Sequence, residues 1–341
     1  MREVIFGKSL EELRTIAARL GQPAFAAAQL ADWLYKKGAS DFDSMANLSK
    51  SFRAALANEY DLGRSPPERE AVSADGTKKY LFGAGSGHFV EAAYIPEADR
   101  ATLCLSTQVG CKMGCLFCMT GRQGFQGNLS PNEILNQYAS LPERERITNI
   151  VYMGMGEPFD NLENVLASLE VLGSSWGFAM SPRRITVSSV GVIPGLKAFL
   201  ERSECHLAIS LHSPFDEERE SLMPVQKAYP LKEVLALLRT SGPEGQRRVS
   251  FEYIMFGGLN DTLRHARELV RILNGIRCRV NLIRFHPIPD TSLRASTEEA
   301  MLAFEERLKA AGVMTTIRKS RGQDILAACG LLSTKALIER G

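Results

Sequence analysis

No stretch of this sequence carries the roughly 20 consecutive apolar residues that a membrane-spanning helix needs. The opening residues, Met1 to Gly7, hold neither the apolar run nor the small-residue cleavage site of a secretory leader. Charge of neither sign dominates: 41 Lys and Arg stand against 39 Asp and Glu, leaving +2. That balance neither demands nor excludes a nucleic-acid partner. No repeat of fixed period and no low-complexity tail is present. The seven cysteines are an odd number, and three crowd into eight residues, which excludes a secreted disulfide framework and points to a reduced compartment with metal ligation. A cytoplasmic protein without a membrane partner is expected.

What is there suffices for a sizeable core: 341 residues, 45% of them hydrophobic, fit one large domain and a small one. Apolar residues recur at helical spacing over Leu10–Leu20 and Pro23–Tyr35, so the chain to about residue 60 reads as helical. Two β-type runs, Lys79–Phe82 and His88–Ile95, flank the glycine-rich stretch 83–87 and predict a hairpin. From about residue 100 strands alternate with helices. The strands expected are 102–107, 149–153, 185–188, 206–211, 249–255, 279–284 and 314–317. Helices are expected at 131–140, 162–172, 231–238, 262–273 and 297–311. Such alternation predicts an α/β fold, a parallel sheet with crossover helices. About six units suit a partial barrel, with chemistry at the C-terminal strand ends. Domain boundaries are expected at 1–65 (helical), 66–98 (hairpin linker) and 99–341 (barrel with a C-terminal extension).

The segment Cys111, Cys115, Cys118 has the spacing C-x3-C-x2-C. Seven cysteines placed at random would give it about 0.003 times in a chain this long. Three thiolates in eight residues can wrap one corner of a cubane and leave one iron open. A structural zinc site is the competing reading, but it usually needs a fourth ligand, and no His lies close in sequence.

This motif follows the first strand of the α/β region, with Phe117 before its third cysteine, and resembles the radical S-adenosylmethionine (SAM) superfamily. A longer resemblance, to the RlmN/Cfr family of RNA methyltransferases and its RlmN-type members, runs through residues 94–111, 153–158, 207–212, 281–287 and 318–330 in family order. It implies a partial (β/α)6 radical SAM barrel with a small N-terminal helical accessory domain. It further implies a 4Fe-4S cluster on Cys111, Cys115 and Cys118, SAM as second cofactor, and methylation of adenosine C2 in 23S rRNA and in tRNA. A low-potential electron donor such as flavodoxin or ferredoxin would serve the cluster. A monomer is expected.

The resemblance also assigns roles. Adenine C2 is electron-poor and cannot attack a SAM methyl group directly, and the family uses SAM twice. Cys329 matches the position that first takes a methyl; Cys104 matches the one that resolves the RNA adduct as a disulfide forms. Glu91 matches the base for the C2 proton, and its apolar run could raise its pKa to suit. Gly156 and Glu157 match the SAM-binding pair, Glu157 meeting the methionine ammonium. Ser188, Ser210, Leu211 and His212 match further SAM contacts, as does His286, where the family often has Asn. Taken singly, Cys329 or Cys104 would read as a packed thiol, Glu91 as an exposed strand residue and His212 as structural. The readings to be separated are C2 methylation, C8 methylation of the Cfr type, and a non-catalytic Fe-S RNA-binding protein. Short basic runs at Arg183-Arg184 and at Arg318, Lys319 and Arg321 fit either a solvated face or an RNA contact.

Overall fold

The computed structural model describes residues 2–241 and 247–334. Its first part is a small helical unit. Helix α1 (Leu10–Arg19) starts where Ser9 and Glu12 satisfy each other's backbone N–H groups in a capping box. The run expected as one helix from Pro23 is α2 (Phe25–Ala31) continued by a π-helical turn, Asp32–Lys37, and ended by left-handed Gly38. Helix α3 (Lys50–Glu59) completes the unit, and a two-residue parallel pairing of Glu3–Val4 with Tyr60–Asp61 ties its ends together. Tyr35 packs edge-on against Phe178 of the following part at 5.5 Å. Asn132 Nδ2 donates to Gly63 O at 3.0 Å across the same junction.

The second part is built on one ten-stranded sheet. Strands β1 (Arg69–Val72), β2 (Lys78–Ala84) and β3 (His88–Pro96) form an antiparallel meander that contains the expected hairpin. Strand β3 then pairs antiparallel with β4 (Ala101–Cys104), so the hairpin is continuous with the barrel sheet. Next come β5 (Asn149–Tyr152), β6 (Ile185–Ser189), β7 (His206–Ser210), β8 (Val249–Met255), β9 (Cys278–Arg284) and β10 (Met314–Ile317). From β4 to β10 each strand lies parallel to the next in sequence order. Six crossovers link these seven strands, as expected of the partial barrel.

The crossover helices are α4 (Met119–Gln123), α5 (Pro131–Ala139), α6 (Leu162–Gly173), α7 (Ile193–Arg202), α8 (Asp216–Leu222), α9 (Leu231–Thr240), α10 (Leu263–Leu273) and α11 (Glu298–Ala310). Helices α4, α7 and α8 were not among those expected: α4 and α8 are short, and α7 carries Pro194 and Gly195, which mask its periodicity. Gly195 is needed there because a Cβ would stand 2.6 Å from Phe159 Cβ.

Strand alternation sorts the side chains. Ile150, Tyr152, Ile185, Val187 and Ile209 are buried beneath the helices. Their neighbours Asn149, Thr186, Ser188, Ser210, Ser250 and Glu252 line the barrel interior, a polar face enclosed by an apolar wall. After β10 the chain crosses the open side to the far edge of the sheet. Asp324 accepts from Ser73 Oγ at 2.5 Å and from Ala74 N at 3.1 Å, and Gly322 N donates to Asp75 Oδ2 at 3.0 Å. Met119 N donates to Gly330 O at 2.8 Å and Thr120 Oγ1 to Leu332 O at 2.7 Å. Residues 318–334 thus strap the hairpin to α4.

Candidate active site

The barrel encloses a cavity of about 690 Å³ that reaches from one end of the strands to the other. At the C-terminal end its wall holds Cys111, Cys115 and Cys118. The loop bearing them is anchored by Leu116 N to Leu222 O at 3.0 Å and by Phe117, whose ring meets that of His212 edge-on at 4.7 Å. Burial pushes the Cys111 thiol up to about 12 and Cys115 well above its ordinary value, with the neighbouring thiols adding to both. Ionising such a set together requires a cation among the sulfurs. Among the described residues no three His, Cys, Asp or Glu side chains stand close enough to hold a single metal ion. A cubane meets each thiolate at a different iron, so three clustered but separated thiols fit it better than they fit zinc.

Beside them, Gly156 has φ +99°, and a Cβ on it would lie 2.7 Å from Gln108 N; only glycine lets the chain pass. Glu157 is buried. Its carboxylate accepts from Phe159 N at 3.0 Å and Val190 N at 2.9 Å, and it has no cationic partner among the described residues. Burial raises it to about 7 against the pull of those donors. A buried carboxylate with no counter-charge, on a cavity wall, suits a ligand ammonium.

His212 stands at φ +58°. Its Nδ1 accepts from Ile254 N at 3.0 Å, and burial lowers it to about 3, so the ring is neutral with its proton on Nε2. Ser188 and Ser210 line the same wall, as does His286, whose Nδ1 bonds to Gln323 Nε2. Leu211 does not: it is fully buried, and its backbone braces β8 through Leu211 N to Glu252 O at 3.0 Å.

Cys104 and Cys329 line this cavity together, although 225 positions separate them. Cys104 is buried and packs with Ala93 and Ala327; Cys329 is exposed to the cavity side; both are free thiols. Burial, with Cys329 adding to it, pushes the Cys104 thiol up to about 12.

Glu91 is placed differently. It is fully buried beneath the strap and off the cavity wall. Lys79 Nζ lies 3.0 Å from its Oε1, and Ser333 N donates to its Oε2 at 2.9 Å. Burial raises its pKa while Lys79 opposes the rise. Lys79 escaped notice in the sequence, where it reads as one more charge in a strand. Also unheralded are Glu252 and Asn281 inside the barrel, and His206, Arg248 and Arg279 around its strand N-terminal end; Arg318 and Arg184, which the sequence offers only as parts of short basic runs, line the same cavity. The period-two placement of polar residues in β6 to β9 was the available signal for the inner ones.

Comparison with known proteins agrees with this geometry. Residues 105–272 match the model of the radical SAM superfamily, and residues 5–62 match the ribosomal RNA large subunit methyltransferase N-terminal domain. A probable dual-specificity RNA methyltransferase RlmN from Porphyromonas gingivalis is 59% identical over 97% of this chain and 94% of its own. The dual-specificity RNA methyltransferase RlmN of Syntrophus aciditrophicus is 44% identical over 97% of both chains. The crystal structure of a radical SAM methyltransferase from Sphaerobacter thermophilus superposes with a TM-score of 0.91 at 40% identity, covering 97% of this chain and 99% of that one. This chain belongs to the RlmN family of radical SAM RNA methyltransferases, enzymes that use a 4Fe-4S cluster and SAM.

Proposed function

We propose that this chain methylates C2 of adenosine in 23S rRNA and in tRNA, carrying the methyl group on Cys329. The observation that supports this most is the meeting of Cys104 and Cys329 in the cavity that also holds Cys111, Cys115 and Cys118. An ordinary methyltransferase, or an RNA-binding Fe-S protein, needs neither extra thiol.

Bound to Cys111, Cys115 and Cys118, a 4Fe-4S cluster supplies the electron that cleaves SAM to methionine and a 5′-deoxyadenosyl radical. Glu157 receives the methionine ammonium beside Gly156, while Ser188, Ser210, His212 and His286 line the space for the rest of SAM. Cys329 would take a methyl from one SAM molecule; the adenosyl radical from a second would remove a hydrogen from that S-methyl group, leaving a carbon radical that adds to C2. The adduct would give up one electron to the cluster and its C2 proton to a base. The Cys104 thiolate would then attack the Cys329 sulfur, forming the disulfide and breaking the S–CH2 bond, whose electron pair takes a proton to leave the methylated base. Glu91 is the base for the C2 proton in this reading. Since it lies under residues 327–334, that strap must shift for its carboxylate to reach the nucleotide.

The relatives' dual-specificity designation supports two RNA classes. Arg184, Arg248 and Arg279 at one end of the cavity, with Lys319 and Arg321, supply positive charge for RNA phosphates. The chain is read as an accessory unit at 1–65, a hairpin at 66–98 and a barrel unit at 99–341; residues 335–341 lie outside the described residues. It is further read as a cytoplasmic monomer served by flavodoxin or ferredoxin. Among the described residues no helix is long and apolar enough to cross a membrane.

The test is mass spectrometry of nucleosides from RNA treated with the reconstituted enzyme and SAM. 2-Methyladenosine is expected. 8-Methyladenosine would replace this reading with the Cfr-type one, and unmodified RNA would remove both.

A further inference from the structure

We propose that Glu252 and Arg318 read the Watson–Crick edge of the target base and so select adenine. This deepens the reading given above and rests on it.

Glu252 lies on β8, on the cavity wall, with its side chain 5% exposed. Its Oε1 is occupied: Ser250 Oγ donates to it at 2.9 Å and Asn281 Nδ2 at 2.7 Å. Asn281 is fixed in turn, its Oδ1 accepting from Thr316 Oγ1 at 2.9 Å. Oε2 has one contact among the described residues, Arg318 Nη1 at 3.4 Å, long for a charge-assisted hydrogen bond. Arg318 directly follows β10. Its backbone N donates to Leu282 O at 2.8 Å, and its O accepts from Arg284 Nη1 at 3.2 Å. Its Nε and Nη2 make no hydrogen bond among the described residues. A carboxylate oxygen able to accept and a guanidinium able to donate therefore stand side by side on the wall.

Their neighbours set an order along that wall. Arg318 Nη1 is also 3.6 Å from Met153 Sδ, and Met153 packs in one cluster with Cys104, Ala93 and Ala327. Ala327 stands two residues before Cys329. The order is thus acceptor, donor, thiols. The Watson–Crick edge of adenine presents the complement in the same order: the N6 amino donor, the N1 acceptor, then C2–H. Guanine reverses both groups, setting its O6 against the carboxylate and its N1–H against the guanidinium. Cytosine offers the same donor and acceptor as adenine, but its next carbon is a carbonyl with no hydrogen to lose.

The experiment measures initial rates of methylation of tRNA by full-length, anaerobically cluster-loaded enzyme with SAM. The target adenosine is kept, or replaced by purine riboside, which lacks the N6 amino group, or by 1-deazaadenosine, which lacks N1. Wild type should act about ten-fold more slowly on either analogue, the worth of one hydrogen bond to a charged group. In Glu252→Gln the amide oxygen stays with Ser250 and Asn281 and turns N–H toward the base. That variant should slow adenosine about ten-fold and purine riboside by no more than about two-fold, because the contact is already gone. Arg318→Gln should slow adenosine about ten-fold and 1-deazaadenosine by no more than about two-fold. Its side chain is half-buried, and it serves where Glu252→Gln does not fold. SAM affinity should be unchanged in both. Equal slowing of adenosine and analogues, as a structural role would give, overturns the proposal. So does a loss of SAM affinity that accounts for the slowing, which would assign the pair to SAM. Coupling of Arg318→Gln to 7-deazaadenosine in place of 1-deazaadenosine also overturns it, since the base would then be read by its Hoogsteen edge with C8 at the thiols. The affinity of the cluster-loaded protein for the same RNAs reads the contact without turnover. Coupling in affinity with no methyladenosine from wild type keeps the base contact and removes the methylation reading; methyladenosine without coupling removes the contact alone.

Discussion

Lys79 Nζ lies 3.0 Å from Glu91 Oε1 with both side chains almost wholly withdrawn from water, 3% and 0% exposed. The pair joins β2 to β3, and through Ser333 N it holds the strap that carries Cys329. Removing one member leaves the other charged and buried. Lys79→Met should therefore cost about 3–5 kcal/mol of stability, whereas Lys79→Met with Glu91→Leu should recover much of it. Chemical denaturation of wild type, both single variants and the double variant checks this. A loss in the double variant equal to the sum of the two single losses would mean that the pair is not coupled.

Glu157 sets a pH dependence. Its carboxyl is raised from 4.5 to about 7. Without ligand, the stability this group contributes is present below 4.5 and is lost as pH rises to about 7, because the folded state resists ionisation. SAM binding runs the other way, since the ammonium needs the carboxylate. Calorimetry should find affinity rising about ten-fold from pH 6 to pH 8. Glu157→Gln should bind weakly and with that dependence gone. An unchanged affinity in the variant would remove Glu157 from the SAM site.

Gly156 tests the same site through the backbone. Its φ of +99° and the 2.7 Å approach to Gln108 N leave no room for a methyl group. Gly156→Ala should lose roughly 1–3 kcal/mol of stability and most of its SAM affinity. Normal SAM binding by a folded Gly156→Ala protein would contradict the geometry.

Iron content separates the cysteines. Anaerobically reconstituted protein should be brown and hold about four irons per chain. Cys111→Ala, Cys115→Ala and Cys118→Ala should each lose them, and Cys104→Ala and Cys329→Ala should keep them. Stoichiometric zinc with no iron uptake would end the radical reading.

Much of this was legible in the sequence. All seven parallel strands fall where alternating and β-branched runs place them, because a strand under crossover helices must be apolar on its outer face. Strand β4 ends at Cys104, short of residue 107, because Thr107 N already turns to Met155 O at 2.8 Å. The cysteine motif was legible because its spacing is local. Glu91 shows the limit. Its residue type and apolar setting were visible, but Lys79 and Ser333, which determine what its carboxylate touches, come from another strand and from 242 positions away. Arg318 likewise reads in the sequence as part of a basic surface run, whereas the fold places it on the wall of the cavity that Cys104 and Cys329 also line.

The most direct test of the two-cysteine account uses Cys104→Ala with SAM, reductant and RNA. Lacking the resolving thiol, this protein should accumulate a covalent RNA adduct visible by denaturing electrophoresis and sensitive to nuclease, with the remnant nucleotide on the Cys329 peptide by mass analysis. The variant that also carries Cys329→Ala should form none. Normal turnover by Cys104→Ala, or an adduct on any other residue, would contradict the account.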